Sequence, residues 1–151
     1  MSTIPNSSAP NSSAPASSAD LVRRSREVLS ALALQFLLGM GANLIGSPEE
    51  NEGAARVFGS ILVGLHGLVG IGLIVVAVRV WTTARRAGVA QRAGLWGFVV
   101  IIVTFLAGVA TLFTGSDWLS FVMSVGFVVA AALYIAVGAA ALTRQRSTVA
   151  G

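Results

Sequence analysis

Four nearly unbroken apolar runs, at about residues 28–46, 57–80, 95–113 and 118–142, are separated by short polar stretches that hold almost all of the charge. Each run approaches or exceeds the roughly 20 residues that a helix needs to cross a hydrocarbon core. Inside lipid every backbone group has to be bonded within the protein, which a single segment achieves only as a helix. The pattern predicts an all-α integral membrane protein, a four-helix bundle. Its second run carries the only histidine, His66.

The polar stretches place the ends of the runs. Residues 1–20 consist largely of three pentads beginning at Pro5, Pro10 and Pro15. Such proline spacing with almost no large apolar side chains predicts a disordered Ser/Pro/Ala-rich tail. The helical domain is expected over residues 21–146, and residues 147–151 are expected to form a short tail. The first run follows Arg23, Arg24 and Arg26. It is read as a retained span, because it exceeds the usual apolar core of a signal peptide (about 7 to 15 residues) and no small-x-small cleavage site follows it. Gly46 is placed to close it as a left-handed C-terminal cap. Ser47-Pro48-Glu49-Glu50 has the form of a helix start. It is expected to make a short surface turn before the second span enters near Val57.

Charge sets the orientation. Nine of the ten arginines flank the N-terminus, the middle loop and the C-terminus, whereas four of the six acids lie in the other two loops. Basic loops stay on the cytoplasmic side, so both termini are expected there, in a multi-pass protein of the cell membrane. The sequons at Asn6 and Asn11 would then never meet a glycosylating lumen. Trp81, Trp96 and Trp118 fall at span ends, the headgroup level that an indole prefers.

Composition removes several chemistries. The chain is 55% hydrophobic and 11% charged, against about 25% charged for a soluble domain, and lipid has to cover the difference. Without cysteine there are no disulfides, thiolate metal sites or thiol nucleophiles. A single histidine excludes a multi-histidine metal centre within one chain. The arginines flank spans instead of forming a stripe on a folded surface, so nucleic acid is not an expected partner. The lipid bilayer is, together with further copies of the chain or a larger membrane complex.

Few polar groups lie inside the spans. No Asp, Glu or Lys is among them, which argues against a proton-driven or cation-driven transporter with an acid at mid-membrane. At about 1.5 Å of rise per residue, Gln35, His66 and Thr104 all fall roughly 14–16 Å from the outer ends of their helices. With Asn43 two turns beyond Gln35 on the same face, they form a candidate intramembrane polar layer. It reads either as a hydrogen-bonded brace between His66 and Gln35 or as a site for a quinone, a haem or a proton. A haem b ligated through His66 at both axial positions would need a histidine from a second subunit or another protein. Gly59, Gly64, Gly67 and Gly70 on the second span, with Ser120, Ser124 and Gly138 on the fourth, are expected to permit close helix packing.

A spacing of 69 residues aligns Gln35-Phe36-Leu37-Leu38-Gly39 with Thr104-Phe105-Leu106-Ala107-Gly108, and Gly46-Ser47 with Gly115-Ser116. It reads as two helical hairpins of the same orientation or as a chance likeness of apolar spans. Gln35-Phe36-Leu37-Leu38-Gly39-Met40 with Asn43-Leu44, Leu65-His66 with Gly70, and Ser120-Phe121 with Met123-Ser124, Gly126-Phe127 and Tyr134 resemble uncharacterised small four-span membrane proteins of Gram-positive bacteria. The resemblance covers about residues 28–142 and implies a bacterial plasma membrane but no activity. Three function classes follow. The leading one is a non-enzymatic protein that packs into a complex, and the others are an electron-transfer protein holding haem or quinone at His66 and a small channel or carrier. An enzyme ranks below them, because no nucleophile, base and orienting group stand together.

The orientation is directly testable because the chain has no cysteine of its own. A membrane-impermeant maleimide should label Ser116→Cys in intact cells and Ser147→Cys only after permeabilisation. The opposite pattern would reverse the topology.

Overall fold

The computed structural model describes residues 18–46 and 51–149. Among them are four helices and no strand: α1 (Ser18–Ile45), α2 (Gly53–Ala87), α3 (Gln91–Thr114) and α4 (Asp117–Val149). All four are long and apolar enough to cross a membrane. The pentads up to residue 17 and the helix-start signal at Ser47-Pro48-Glu49-Glu50 lie outside the described residues.

The helices extend past the apolar runs, chiefly at the arginine-bearing ends. Helix α1 begins at Ser18, inside the stretch assigned to the tail, and α4 runs through Val149, beyond the boundary at residue 146. Helix α2 continues to Ala87 with Arg79, Arg85 and Arg86 on it. Apolarity marks the part of a helix that sits in lipid, whereas hydrogen bonding continues into the polar zone until a breaker intervenes. Helix α2 starts at Gly53, about one turn before Val57.

Glycine provides the breaks. Gly46 closes α1 with φ +82°, and the Asn51 side-chain amide donates to the Ile45 carbonyl at 2.8 Å. At the end of α2, Gly88 (φ +66°) donates to Arg85 O at 3.3 Å and Val89 donates to Ala84 O at 3.2 Å. That pair of bonds is a Schellman cap, with Val89 turned into the core as its apolar contact. Arg144 reaches across from α4 and donates to the Ala87 carbonyl at 2.9 Å, tying the end of α4 to this turn.

Each helix packs against its two neighbours in the cyclic order α1, α2, α3, α4. The packing is uneven along their length. Nearly all fully buried side chains lie in the half that carries the termini, among them Leu21, Val28, Val80, Ala84, Tyr134 and Val137. Small residues bring the backbones together there. A methyl group on Gly94 would lie 3.3 Å from Ala84 Cβ, one on Gly138 would lie 3.3 Å from Ser25 Cβ, and one on Gly97 would lie 2.8 Å from Tyr134 Cζ. Trp81 stacks on Phe98 with centroids 5.7 Å apart, and the Arg85 guanidinium lies 5.4 Å from the Trp81 ring. The large side chains left exposed, such as Leu37, Phe58, Leu68 and Val128, face outward as a lipid-covered surface requires.

The glycines of α2 divide into two groups. Gly59 and Gly70 are buried, but a methyl group on Gly64 or Gly67 would meet nothing within 4 Å. The expectation of close packing at Gly64 and Gly67 is thereby corrected for contacts within this chain. Periodicity shows which residues share a face but not whether a neighbouring helix reaches it.

Two alanine substitutions separate these cases. Gly97→Ala should lower stability by about 1–3 kcal/mol, because the buried Tyr134 ring has no room to retreat. Gly64→Ala should be neutral or stabilising by up to about 1 kcal/mol, the helix-propensity difference. Thermal unfolding in mild detergent, followed by circular dichroism, would read both.

Candidate functional site

Packing ends at a layer to which each helix contributes one residue: Leu32, Leu73, Ile101 and Ala130, all at most 6% exposed. Beyond this layer, in the far half of the bundle, Gly39, Gly67, Gly70, Gly108, Ser120 and Ser124 stand among larger residues such as Val63, Phe105, Val109 and Leu112. Together they line a cavity of about 500 Å³, with the four-residue layer at its floor. Native interiors contain few voids larger than a water molecule, whereas small-molecule pockets span about 300–1,000 Å³.

His66 and Gln35 meet just above this floor. The His66 Nδ1 lies 3.2 Å from the backbone carbonyl of Gln35, and its Nε2 lies 3.0 Å from Gln35 Nε2. A carbonyl only accepts, so Nδ1 carries the proton in that contact. In a neutral ring Nε2 then holds a lone pair, and the Gln35 amide turns an N–H toward it. One residue thus engages both ring nitrogens. Gly39 makes the approach possible, since a methyl group there would lie 3.0 Å from His66 Cε1. At Gly70 a methyl group would lie 3.2 Å from the Phe105 ring, so that glycine makes room for the ring beside the amide.

The bonding leaves one amide oxygen over. Gln35 Oε1 is buried without a hydrogen-bond partner, and so is Thr104 Oγ1 on α3. Thr104 packs so tightly on α4 that any side chain at Gly126 would collide with its hydroxyl. Such buried polar atoms are uncommon in native structures, and each leaves a desolvation penalty of about 1–3 kcal/mol uncompensated.

Aromatic rings supply part of the wall. Phe36, Phe105, Phe121 and Phe127 all line the cavity. Phe36 of α1 and Phe127 of α4 stack with centroids 5.3 Å apart, bridging the two helices. Asn43 also lines the cavity, farther toward the loops, where it is exposed. The Ser124 hydroxyl donates to the Ser120 carbonyl at 3.0 Å, within its own helix.

The structure brings some of the expected residues together and separates others. His66 and Gln35 are bonded directly, and Thr104 shares their cavity without bonding to either side chain. Gly138 lies in the opposite half, against Ser25, and belongs to the packed core. Gly39 and Gly126 were not among the expected site residues. Gly39 stands one turn from Gln35 on the same face, a usable signal, but nothing in the pattern around Gly126 distinguishes it from other glycines in apolar helices. Ligation of haem iron by His66 would require Nε2, the atom that the Gln35 amide now holds. Among the described residues no group of histidine and acidic side chains is placed to hold a metal ion.

Comparison of the chain with known protein families, with characterised proteins and with solved structures finds no match.

The His66–Gln35 pair can be weighed by a double-mutant cycle of His66→Leu and Gln35→Leu. A coupling of about 0.6 kcal/mol, rising to about 1.7 kcal/mol, is the range for interhelical hydrogen bonds in membranes. Additive single effects would show that the two side chains are neighbours without being partners.

Proposed function

We propose that this is a non-enzymatic integral membrane protein that holds a small apolar molecule with a polar head inside its four-helix bundle. The cavity carries this reading. Its walls are largely aromatic and aliphatic with a few polar groups among them, and its volume suits a ligand of drug or cofactor size. A molecule of that kind partitions into the bilayer and reaches the bundle from the lipid. The packed half then serves as a rigid base and the hollow half as the receptor.

The reading extends to placement in the membrane. The arginine distribution supports both termini in the cytoplasm and the hollow half facing outward, in a bacterial plasma membrane. The two hairpins are read as a repeat. Gly46 and Gly115 stand 69 residues apart (115 − 46) and both close a helix with positive φ. Gly39 and Gly108, at the same offset (108 − 39), both line the cavity. This reading supersedes packing into a complex as the leading function, because helix packing alone would favour a filled core in both halves.

Gly67 offers a clean test. It lines the cavity and has open space where a side chain would begin, so Gly67→Phe fills the cavity without a backbone clash. Protein purified in mild detergent should release about one equivalent of an apolar small molecule on solvent extraction, identified by mass spectrometry. Gly67→Phe should release at least tenfold less while keeping its helical circular dichroism. Equal amounts from both proteins, or none from the parent, would sink the proposal.

A further inference from the structure

The arginine-bearing end of the bundle is not uniformly charged. Of the six acids in the chain only Asp20 and Glu27 belong to this end, both on α1, and each lies 3.8 Å from Arg23. From Gly53 to Ser116 the chain has no acid at all, and it has none after Asp117. The α2–α3 turn is therefore bordered by arginine alone: Arg85 and Arg86 on α2 and Arg92 on α3, all three exposed. The turn that carries them is pinned by the Gly88 cap, by the buried Val89 and by the hydrogen bond from Arg144 to the Ala87 carbonyl.

Two indoles fix the depth of these charges. Trp81 stands four residues before Arg85 on the outgoing helix, and Trp96 four residues after Arg92 on the returning one. Each guanidinium is thus about 6 Å, one helical turn, farther from the membrane centre than an indole. Indoles prefer the headgroup level, which puts the arginines among the lipid phosphates. Trp81 stacks on Phe98 and the Arg85 guanidinium lies 5.4 Å from the Trp81 ring, a contact that holds the charge in place but uses none of its N–H donors. On the membrane side of the turn Ile71, Val75, Leu95, Val99 and Val103 are exposed and give acyl chains a surface. We propose that this turn docks an anionic phospholipid whose head carries a phosphodiester and no ammonium, of the phosphatidylglycerol type, held by Arg85, Arg86 and Arg92. Guanidinium groups match phosphate oxygens in pairs, and a zwitterionic head would bring its own cation into an acid-free cluster of arginines. The site is separate from the cavity and does not depend on what the cavity holds.

The two indoles are also the reporters. The full chain, carrying Trp118→Phe to silence the indole at the opposite end, is reconstituted in phosphatidylcholine bilayers containing increasing phosphatidylglycerol. One lipid or the other has brominated chains, and quenching of tryptophan fluorescence gives their relative binding beside Trp81 and Trp96. Phosphatidylglycerol should be preferred about fivefold or more, the contribution of at least one arginine near an anionic lipid. Combining Arg85→Gln, Arg86→Gln and Arg92→Gln should bring the preference to within about twofold of none. Combining Arg23→Gln, Arg26→Gln and Arg146→Gln removes the same charge elsewhere on this end and should leave it nearly unchanged. Should the first combination fail to fold, Arg92→Gln alone, an exposed side chain, should at least halve the preference. No preference in the parent, or one that survives these substitutions, would overturn the proposal. So would an equal loss in both combinations, which would mark a diffuse attraction to the whole end. Displacement of the lipid by an excess of soluble glycerol phosphate would overturn it as well, by making the ligand a free phosphate.

Discussion

A helix surrounded by lipid gains little by covering one apolar side chain with another, since the hydrocarbon it leaves is as apolar as the partner it meets. What holds such helices together is close approach, with dense van der Waals contact and an occasional interhelical hydrogen bond. In this bundle close approach is concentrated at one end. Gly94 lies against Ala84, Gly97 against the hydroxyl end of the Tyr134 ring, and Gly138 against Ser25. Arg144 adds a hydrogen bond from α4 to the α2–α3 turn at the same end. The terminal half therefore sets the spacing of all four helices.

The far half inherits that spacing but is not filled: its phenylalanine, glycine and serine residues line a cavity between the helices. The chain uses the same residue type in two opposite ways. Where a glycine faces a ring or a methyl group on a neighbouring helix, it draws the two together; where no neighbour reaches it, it leaves a gap. Gly97 is an instance of the first and Gly67 of the second.

Polar groups inside the membrane are expensive unless paired, and here their pairing is partial. His66 takes both of its bonds from one residue of the facing helix, which holds the ring in one orientation and one tautomer. The amide that does so keeps an oxygen without a donor, and Thr104 adds a hydroxyl in the same state. A purely structural brace would be most stable with every lone pair used. The Tyr134 hydroxyl, in the packed half, is buried in the same state.

Much of the architecture was legible in the chain alone. The four helices follow from the length and apolarity of four runs, because lipid permits no other single-segment solution for the backbone. Gly46 announced one of the breaks. The depth of His66 and Gln35 followed from helical rise, since a straight helix crossing a slab converts residue number into height. What the chain could not reveal was which glycines are covered. Gly64 and Gly67 are indistinguishable in sequence from Gly70 and Gly97, because the contact of a glycine is decided by the residue that another helix brings to it. The cavity, the two hydrogen bonds on His66 and the unpaired oxygen of Gln35 belong to that second kind of fact. Hydropathy is a property of each segment by itself and survives as a string of letters, whereas packing is a property of four segments at once and exists only when they meet.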